Sequence, residues 1–264
     1  YSLLMRRNGS TEAAIAAIST LAQRGGSKIS LASIASVTAE LESIDAADAV
    51  LLWRDSEYYP ERLAQFDDAP ACITARGNLH LLTQPMIAIV GARNASINAQ
   101  RHAHNIASEL GKHGYIIVSG RARGIDAAAH RGALDTGTIG VIAGGIDIVY
   151  PPENADLFEE VASRGLLLAE MPPATKPTPK HFPIRNRVIA SLAVGVVVAE
   201  AAHRSRSLIT AREAATRGSN LMAAPGSPLD PRSDGCNRLI RDGATLVQNV
   251  ADVIECVSRQ PAVR

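Results

Sequence analysis

From Met86 onward the chain alternates short β-branched runs with alanine-rich amphipathic stretches, and no other feature constrains its fold as much. The runs at 86–90, 115–118, 138–143, 166–169, 195–199 and 221–224, with a further candidate at 245–247, are almost wholly apolar, as strands covered on both faces must be. Between them, 99–112, 125–134, 154–163, 185–192 and 208–216 carry apolar residues at helical spacing. Strand, helix and strand in this rhythm predict an α/β domain with a doubly wound, mainly parallel sheet. The first 50 or so residues break the rhythm: Ser10, Thr11 and Glu12 precede Ile15, Ile18 and Leu21, and Ser30 precedes Leu31, Ile34, Val37 and Leu41. These patterns predict a small helical segment over 1–55, expected to be incomplete, ahead of a Rossmann-like domain over 56–264. Between Met171 and Pro183 the prolines at 172, 173, 177, 179 and 183 predict an extended loop.

The chain is nearly neutral, with 27 Lys and Arg against 26 Asp and Glu, and 46% of its residues are hydrophobic. That balance excludes a disordered polyanion-binding tail. The longest apolar run, 192–199, is far shorter than the roughly 18 residues that span a bilayer. No membrane passage is expected, and no secretory leader is visible. Cys72, Cys236 and Cys256 are too few and too far apart for a disulfide framework or a zinc knuckle, so reduced thiols in a cytoplasmic protein are expected.

Ligands of open parallel sheets lie beyond the carboxyl ends of the strands. Glycine and arginine crowd that edge: Gly91 to Asn94, Ser119 to Gly124, Gly144 to Asp147, Arg204 to Ser207, and Pro225 with Gly226. Such turns let a backbone approach phosphate, although glycine after a strand is also ordinary turn chemistry. Gly91 starts no G-x-G-x-x-G, and Ser119-Gly120 stands where a ribose-binding carboxylate belongs. The chain has neither a Walker phosphate loop nor a G-x-S-x-G elbow. No cofactor is therefore expected.

The cations are gathered unevenly. No acid separates Asp68 from Glu109, Glu170 from Glu200, or Glu200 from Glu213, whereas Arg76, Arg93, Arg101, Lys176, Lys180, Arg185, Arg187, Arg204, Arg206 and Arg212 fall within those intervals. A row of cations at loop tips and helix starts suits several phosphates at once. With nine aromatics in all and no recognition helix, the preferred ligand is single-stranded nucleic acid held by its backbone. Phe182 fits either a stacking platform or a core anchor.

Asp147, Glu170 and Glu200 each follow a strand. They suit acid/base work or a metal, but without a His/Cys cluster beside them they are expected to receive arginine hydrogen bonds and to hold no metal. His130 follows Asp126 by one helical turn, a spacing that suits a local pair better than a catalytic dyad.

These residues resemble the DprA (Smf) family, the DNA processing protein A of bacteria. The resemblance is carried by residues 89–93, by Ser119-Gly120-Arg121-Ala122-Arg123-Gly124-Ile125-Asp126 through His130, and by Tyr150 to Asn154. It continues through Phe182-Pro183-Ile184-Arg185-Asn186-Arg187, residues 207–211, Ala224-Pro225-Gly226, and residues 237–244. It implies an extended Rossmann domain that binds single-stranded DNA, acts as a homodimer, protects incoming strands during natural transformation and loads the RecA recombinase, without enzymatic turnover. The implied DNA-binding residues are Arg93, Gly120, Arg123, Gly124, Lys180, Phe182, Arg185, Asn186 and Arg187. Arg121, which replaces a usual leucine, is expected to add charge to the rim, and Arg206, which replaces a usual glycine, either to crowd a phosphate turn or to add a contact. No winged-helix domain is expected after Val253. The competing expectations are a Rossmann-like enzyme acting on a nucleotide or its glycosidic bond through Asp147, Glu170 or Glu200, and a basic edge that binds an acidic protein.

Overall fold

The computed structural model describes residues 7, 9–25, 31–120 and 122–259, with backbone alone for 19–25. Helices α1 (Thr11–Gly25) and α2 (Ile34–Ala46) come first. Ser33 caps α2, its hydroxyl accepting the Ser36 N–H, so the cap stands three residues beyond Ser30, which lies outside the described residues. The chain then enters a nine-stranded sheet of order β1-β2-β6-β5-β4-β3-β7-β8-β9.

Seven of these strands are the ones read from sequence: β3 (Met86–Val90), β4 (Ile116–Ser119), β5 (Thr138–Ile142), β6 (Leu166–Ala169), β7 (Gly195–Val198), β8 (Asn220–Ala223) and β9 (Thr245–Leu246), each parallel to its neighbours within this set. Strands β1 (Val50–Trp53) and β2 (Cys72–Gly77) extend the sheet by antiparallel pairing, β1 on β2 and β2 on β6. The sequence pattern did not reveal these two. Thr, Ala, Arg and Gly make up most of β2, and its strand state comes from distant β6 rather than from its own run of residues.

Alternation along each strand feeds two layers. Met86, Ala88 and Val90 of β3 join one core with Val188, Ile189 and Leu192, while Ile87 and Ile89 join the other with Ile106 and Leu110. Helices α4 (Ile97–Lys112), α5 (Ile125–Ala133), α6 (Ala155–Arg164) and α10 (Val250–Ser258) cover the second face. The first face is covered by the short α3 (Glu61–Ala64), α7 (His181–Leu192) and α8 (Ser207–Thr216), with α9 (Asp234–Arg241) packed beside β8.

Helix α7 begins inside the segment expected to be extended. Pro183 is its third residue, in the first turn, where the missing N–H had no helical partner anyway. The sequence thus places the loop correctly but ends it late.

This topology puts a switch point between β3 and β7. Crossovers from β3 through β6 run over one face, and those after β6 run over the other, so the loops leaving β3 and β7 diverge and open a crevice. The three cysteines are free thiols. Among the described residues, no helix is long and apolar enough to cross a membrane, and no group of three or more His, Cys, Asp or Glu is placed to hold a metal.

Candidate nucleic-acid interface

Two neighbouring cavities open beyond the carboxyl ends of β3, β4, β5 and β7. The first, about 240 Å³, is walled by Val141, Ile142, Gly144, Ile148, Tyr150, Pro177 and Phe182, with Arg93, Arg123 and Arg185 among its polar lining. The second, about 420 Å³, occupies the switch point and is lined by Arg93, Asn94, Asn186, Arg204, Ser205, Arg206 and Ser207. Arg93, Ala122, Phe182 and Arg185 border both, so the cavities form one groove. At the boundary the Arg93 guanidinium lies 5.1 Å from the Phe182 ring centroid, a cation–π contact. Phe182 in turn meets Tyr150, with ring centroids 6.1 Å apart.

The backbone beneath is shaped by glycine. Gly124 has φ +75°, and a Cβ there would fall 2.4 Å from the Ala92 carbonyl oxygen, so the loop from β4 passes directly over the loop from β3. A Cβ on Gly120 would fall 1.6 Å from Nη1 of Arg185. That space belongs to the guanidinium, which donates from Nη1 to the Val141 carbonyl at 3.0 Å. Arg185 is thus a floor residue, 8% exposed, and burial pulls its pKa down to about 10 against the counter-charge of Asp126.

Asp126 is 6% exposed and stands in the first turn of α5, where a carboxylate suits the positive end of the helix. It accepts the Ala122 N–H at 3.2 Å. Burial pushes its pKa up, opposed by Arg185, Arg93 and backbone N–H groups of Ala122 and Gly91. Nδ1 of His130, the residue expected to pair locally with Asp126, lies 2.7 Å from the Thr138 hydroxyl.

Arg93, Arg123, Lys180 and Arg206 are exposed, and none forms an ion pair with a carboxylate among the described residues. Lys180 immediately precedes α7 without lining either cavity. Arg206 immediately precedes α8 with φ −66° and ψ −21°, an ordinary helical conformation that arginine adopts without strain. Its side chain lines the second cavity. Gly124 acts beneath the groove rather than in its lining, and Arg121 lies outside the described residues. Arg187 stands apart: its guanidinium is taken up by the Glu170 carboxylate and the Asp68 carbonyl, and it lines neither cavity.

The three carboxylates singled out from sequence do not converge. Both oxygens of Asp147 accept the Ala174 N–H, at 2.9 and 3.0 Å, pinning the proline-rich loop. Glu200 accepts the Ser96 N–H at 3.0 Å and its hydroxyl at 2.7 Å. Among the described residues, only Glu170 of the three forms an ion pair with an arginine, so the expectation of arginine hydrogen bonds is corrected for the other two. Backbone N–H groups and a serine were nearer, because loops fold back on the sheet edge that these acids end. Asn94, Arg204, Ser205 and Ser207 lie in sheet-edge turns singled out from the sequence and line the groove without having been among the implied DNA-binding residues, and Tyr150 joins them there. For Arg204 the acid-free interval was a usable signal, whereas nothing local in sequence puts Tyr150 opposite Phe182.

Fold and groove together define an open Rossmann-like α/β protein with an arginine-lined, aromatic-walled crevice at its switch point. Residues 50–258 match the family model for DNA recombination-mediator protein A, and residues 1–43 match that for a DprA-like N-terminal HHH domain. The DNA processing protein DprA of Streptococcus pneumoniae is 44% identical over 198 residues, covering 74% of this chain and 70% of that protein. The Bacillus subtilis protein of the same name is 40% identical over 203 residues, 76% of this chain and 68% of the relative. Among solved structures, DprA from S. pneumoniae superposes with a TM-score of 0.79 at 39% identity, covering 85% of this chain and 78% of that one. DNA processing protein A from Helicobacter pylori, described for its single-stranded-DNA binding mode, superposes with a TM-score of 0.73 at 30% identity, covering 80% and 96%. The chain belongs to the DNA recombination-mediator protein A (DprA) family.

Proposed function

We propose that this chain binds single-stranded DNA along the groove and acts on DNA as a binding protein rather than as an enzyme. The observation that carries the reading is a crevice at the switch point bordered by Arg93, Arg123, Arg204 and Arg206, with no acid paired to them among the described residues, beside the Phe182 and Tyr150 rings. Charges without internal partners are free to track phosphates, and rings at the wall give unstacked bases a surface. The N-terminus of α8, where the Ser205 and Ser207 hydroxyls lie 2.7 Å apart, adds backbone donors to the same cavity. DNA-binding residues in this reading are Arg93, Gly120, Arg121, Arg123, Gly124, Lys180, Phe182, Arg185, Asn186 and Arg206, some as contacts and some as floor, with Arg187 supporting α7 from outside the groove. Family membership supports the wider roles: protection of incoming single strands in natural transformation, loading of RecA, and action as a cytoplasmic homodimer. The acids of the competing hydrolytic reading are turned to backbone, serine and arginine partners outside both cavities.

Fluorescence anisotropy with a labelled ~30-nucleotide single strand and its matched duplex, at two or more salt concentrations, tests the reading. The expected result is salt-sensitive preference for the single strand, weakened in Arg93→Ala and Lys180→Ala with the salt slope lower by about one in each. Absence of single-strand binding by folded protein at low salt overturns it.

A further inference from the structure

A carboxylate inside an anion-binding groove is a paradox, and Asp126 is such a carboxylate: it lines the second cavity while only 6% exposed. By charge alone it opposes every phosphate that enters. Its contacts point the other way. Oδ2 accepts the N–H of Ala122, at the centre of the loop between Gly120 and Gly124 that borders both cavities. Arg185, which shares that border and fills the space above Gly120, is buried with its Nε unpartnered and its Nη1 on a carbonyl, and the opposing charge of Asp126, which lines the second cavity with it, acts on it without a direct ion pair. A buried guanidinium without a counter-charge repels Arg93 and is drawn towards solvent, and the loop resting on it moves too.

We propose that Asp126 is a positioning residue of the groove: it holds the Ala122 loop by hydrogen bond and Arg185 by charge, so that removing this negative charge weakens the grip on a phosphodiester chain instead of strengthening it. The inference rests on the groove being the single-strand site proposed above. Its sign separates it from simple electrostatics, since Asp126→Asn raises the net charge by one and long-range attraction alone predicts tighter binding.

The test is anisotropy with a labelled ~30-nucleotide oligothymidylate against wild type, Asp126→Asn, Asp135→Asn and Arg93→Ala, with urea unfolding of each. Asp135 is an exposed acid paired to Arg164 beyond the far end of α5, and its variant controls for charge alone. Asp126→Asn is expected to bind about tenfold more weakly with a salt slope lower by about one, while Asp135→Asn binds as wild type or slightly tighter. Equal or tighter binding by folded Asp126→Asn at an unchanged slope overturns the proposal, and weak binding by Arg93→Ala in the same series leaves the groove reading intact. Failure of the wild type to bind removes both, and is read from that measurement alone. Should Asp126→Asn fail to fold, the charge-balanced double variant Asp126→Asn/Arg185→Gln takes its place. Because Arg185 is itself a floor residue, the double variant is read against Arg185→Gln alone: a further loss of about tenfold supports the proposal, and affinity equal to that of Arg185→Gln overturns it.

Discussion

Two groups of arginines differ in what surrounds them. Arg93, Arg123 and Arg206 border the groove, exposed and without carboxylate partners among the described residues. Arg187 and Arg217 sit behind it in an ionic cluster: Arg187 on Glu170, and Arg217 on Asp68 at 2.6 Å and Glu213 at 3.1 Å, with the Arg217 guanidinium 4.8 Å from the Phe66 ring centroid. The same side chain therefore has two employments. In the groove its charge is available to a ligand, whereas in the cluster it holds α7 and α8 to the loop after α3. The contrast predicts that substitutions in one group change affinity and those in the other change stability.

The largest effect should come from emptying the groove. Arg93→Ala/Arg123→Ala removes two charged donors, each worth about 1.5 kcal/mol or a tenfold factor, so single-strand affinity should fall about hundredfold with the salt slope reduced by about two. Arg187→Ala should leave affinity within about threefold while lowering unfolding free energy by roughly 3 kcal/mol, because it strands a half-buried Glu170. Glu170 already has its pKa pushed up by burial, with Arg187 opposing the shift. Urea titration alongside anisotropy measures both, and a large affinity loss in Arg187→Ala at undiminished stability would break the contrast.

Phe182 comes next. Its ring is an intermediate case, half-buried between Arg93 and Tyr150. If bases stack there, Phe182→Ala should weaken single-strand binding roughly tenfold, from ~1–3 kcal/mol per stacked base, with the salt slope nearly unchanged. Phe182→Tyr should bind like the wild type. A lower slope in Phe182→Ala would instead mean that the ring serves to place Arg93, which moves it from the base-facing to the charge-supporting side of the comparison.

The contrast also explains what the sequence could and could not tell. Seven strands announce themselves as short, largely apolar runs, whereas their order in the sheet, and with it the place of the switch point, comes from the structure. The acid-free intervals locate the basic edge, but they cannot say which arginine is free. Arg185 and Arg187 lie two residues apart on one helix, about 200° around its axis, so they address different neighbourhoods. Their partners, Asp126 for one and Glu170 with Asp68 for the other, come from distant segments. Asp126 and His130 share a helical face, and the spacing does not announce that β5 also brings the Thr138 hydroxyl to 2.7 Å from His130 Nδ1. Periodicity finds the elements; which polar group faces which is decided by the packing between them.

Arg206 offers a smaller test. The position takes arginine in an ordinary helical conformation, so a glycine there is not required by the backbone. Arg206→Gly should leave urea stability within about 0.5 kcal/mol of wild type, since surface changes away from special features are nearly neutral. Affinity should fall only about threefold, because a mobile exposed side chain loses rotamer freedom when it engages a phosphate. The salt slope should drop by about one. An unchanged slope would make Arg206 a bystander at the groove's rim.

The smallest effect lies in the ionic cluster and concerns acid. Hydrogen bonding from Arg217 holds the Asp68 carboxyl below its ordinary value of 3.8, with the charges of Arg217 and Arg187 acting the same way. A carboxylate with a depressed folded pKa binds fewer protons in the native than in the unfolded chain. Its stabilisation is therefore fully present above 3.8 and disappears as pH falls below that value through the lowered one. Asp68 is half exposed, so solvent screens the pair and the effect is a slope rather than a collapse. Between pH 5 and 3 the urea midpoint of the wild type should fall more steeply than that of Asp68→Asn, and the two curves should draw together at the acid end. Single-strand affinity at neutral pH should be the same in both, since Asp68 binds arginines that the groove does not use. A parallel fall of the two midpoints would mean that the cluster's stability comes from Arg217 packed on Phe66 rather than from its charges.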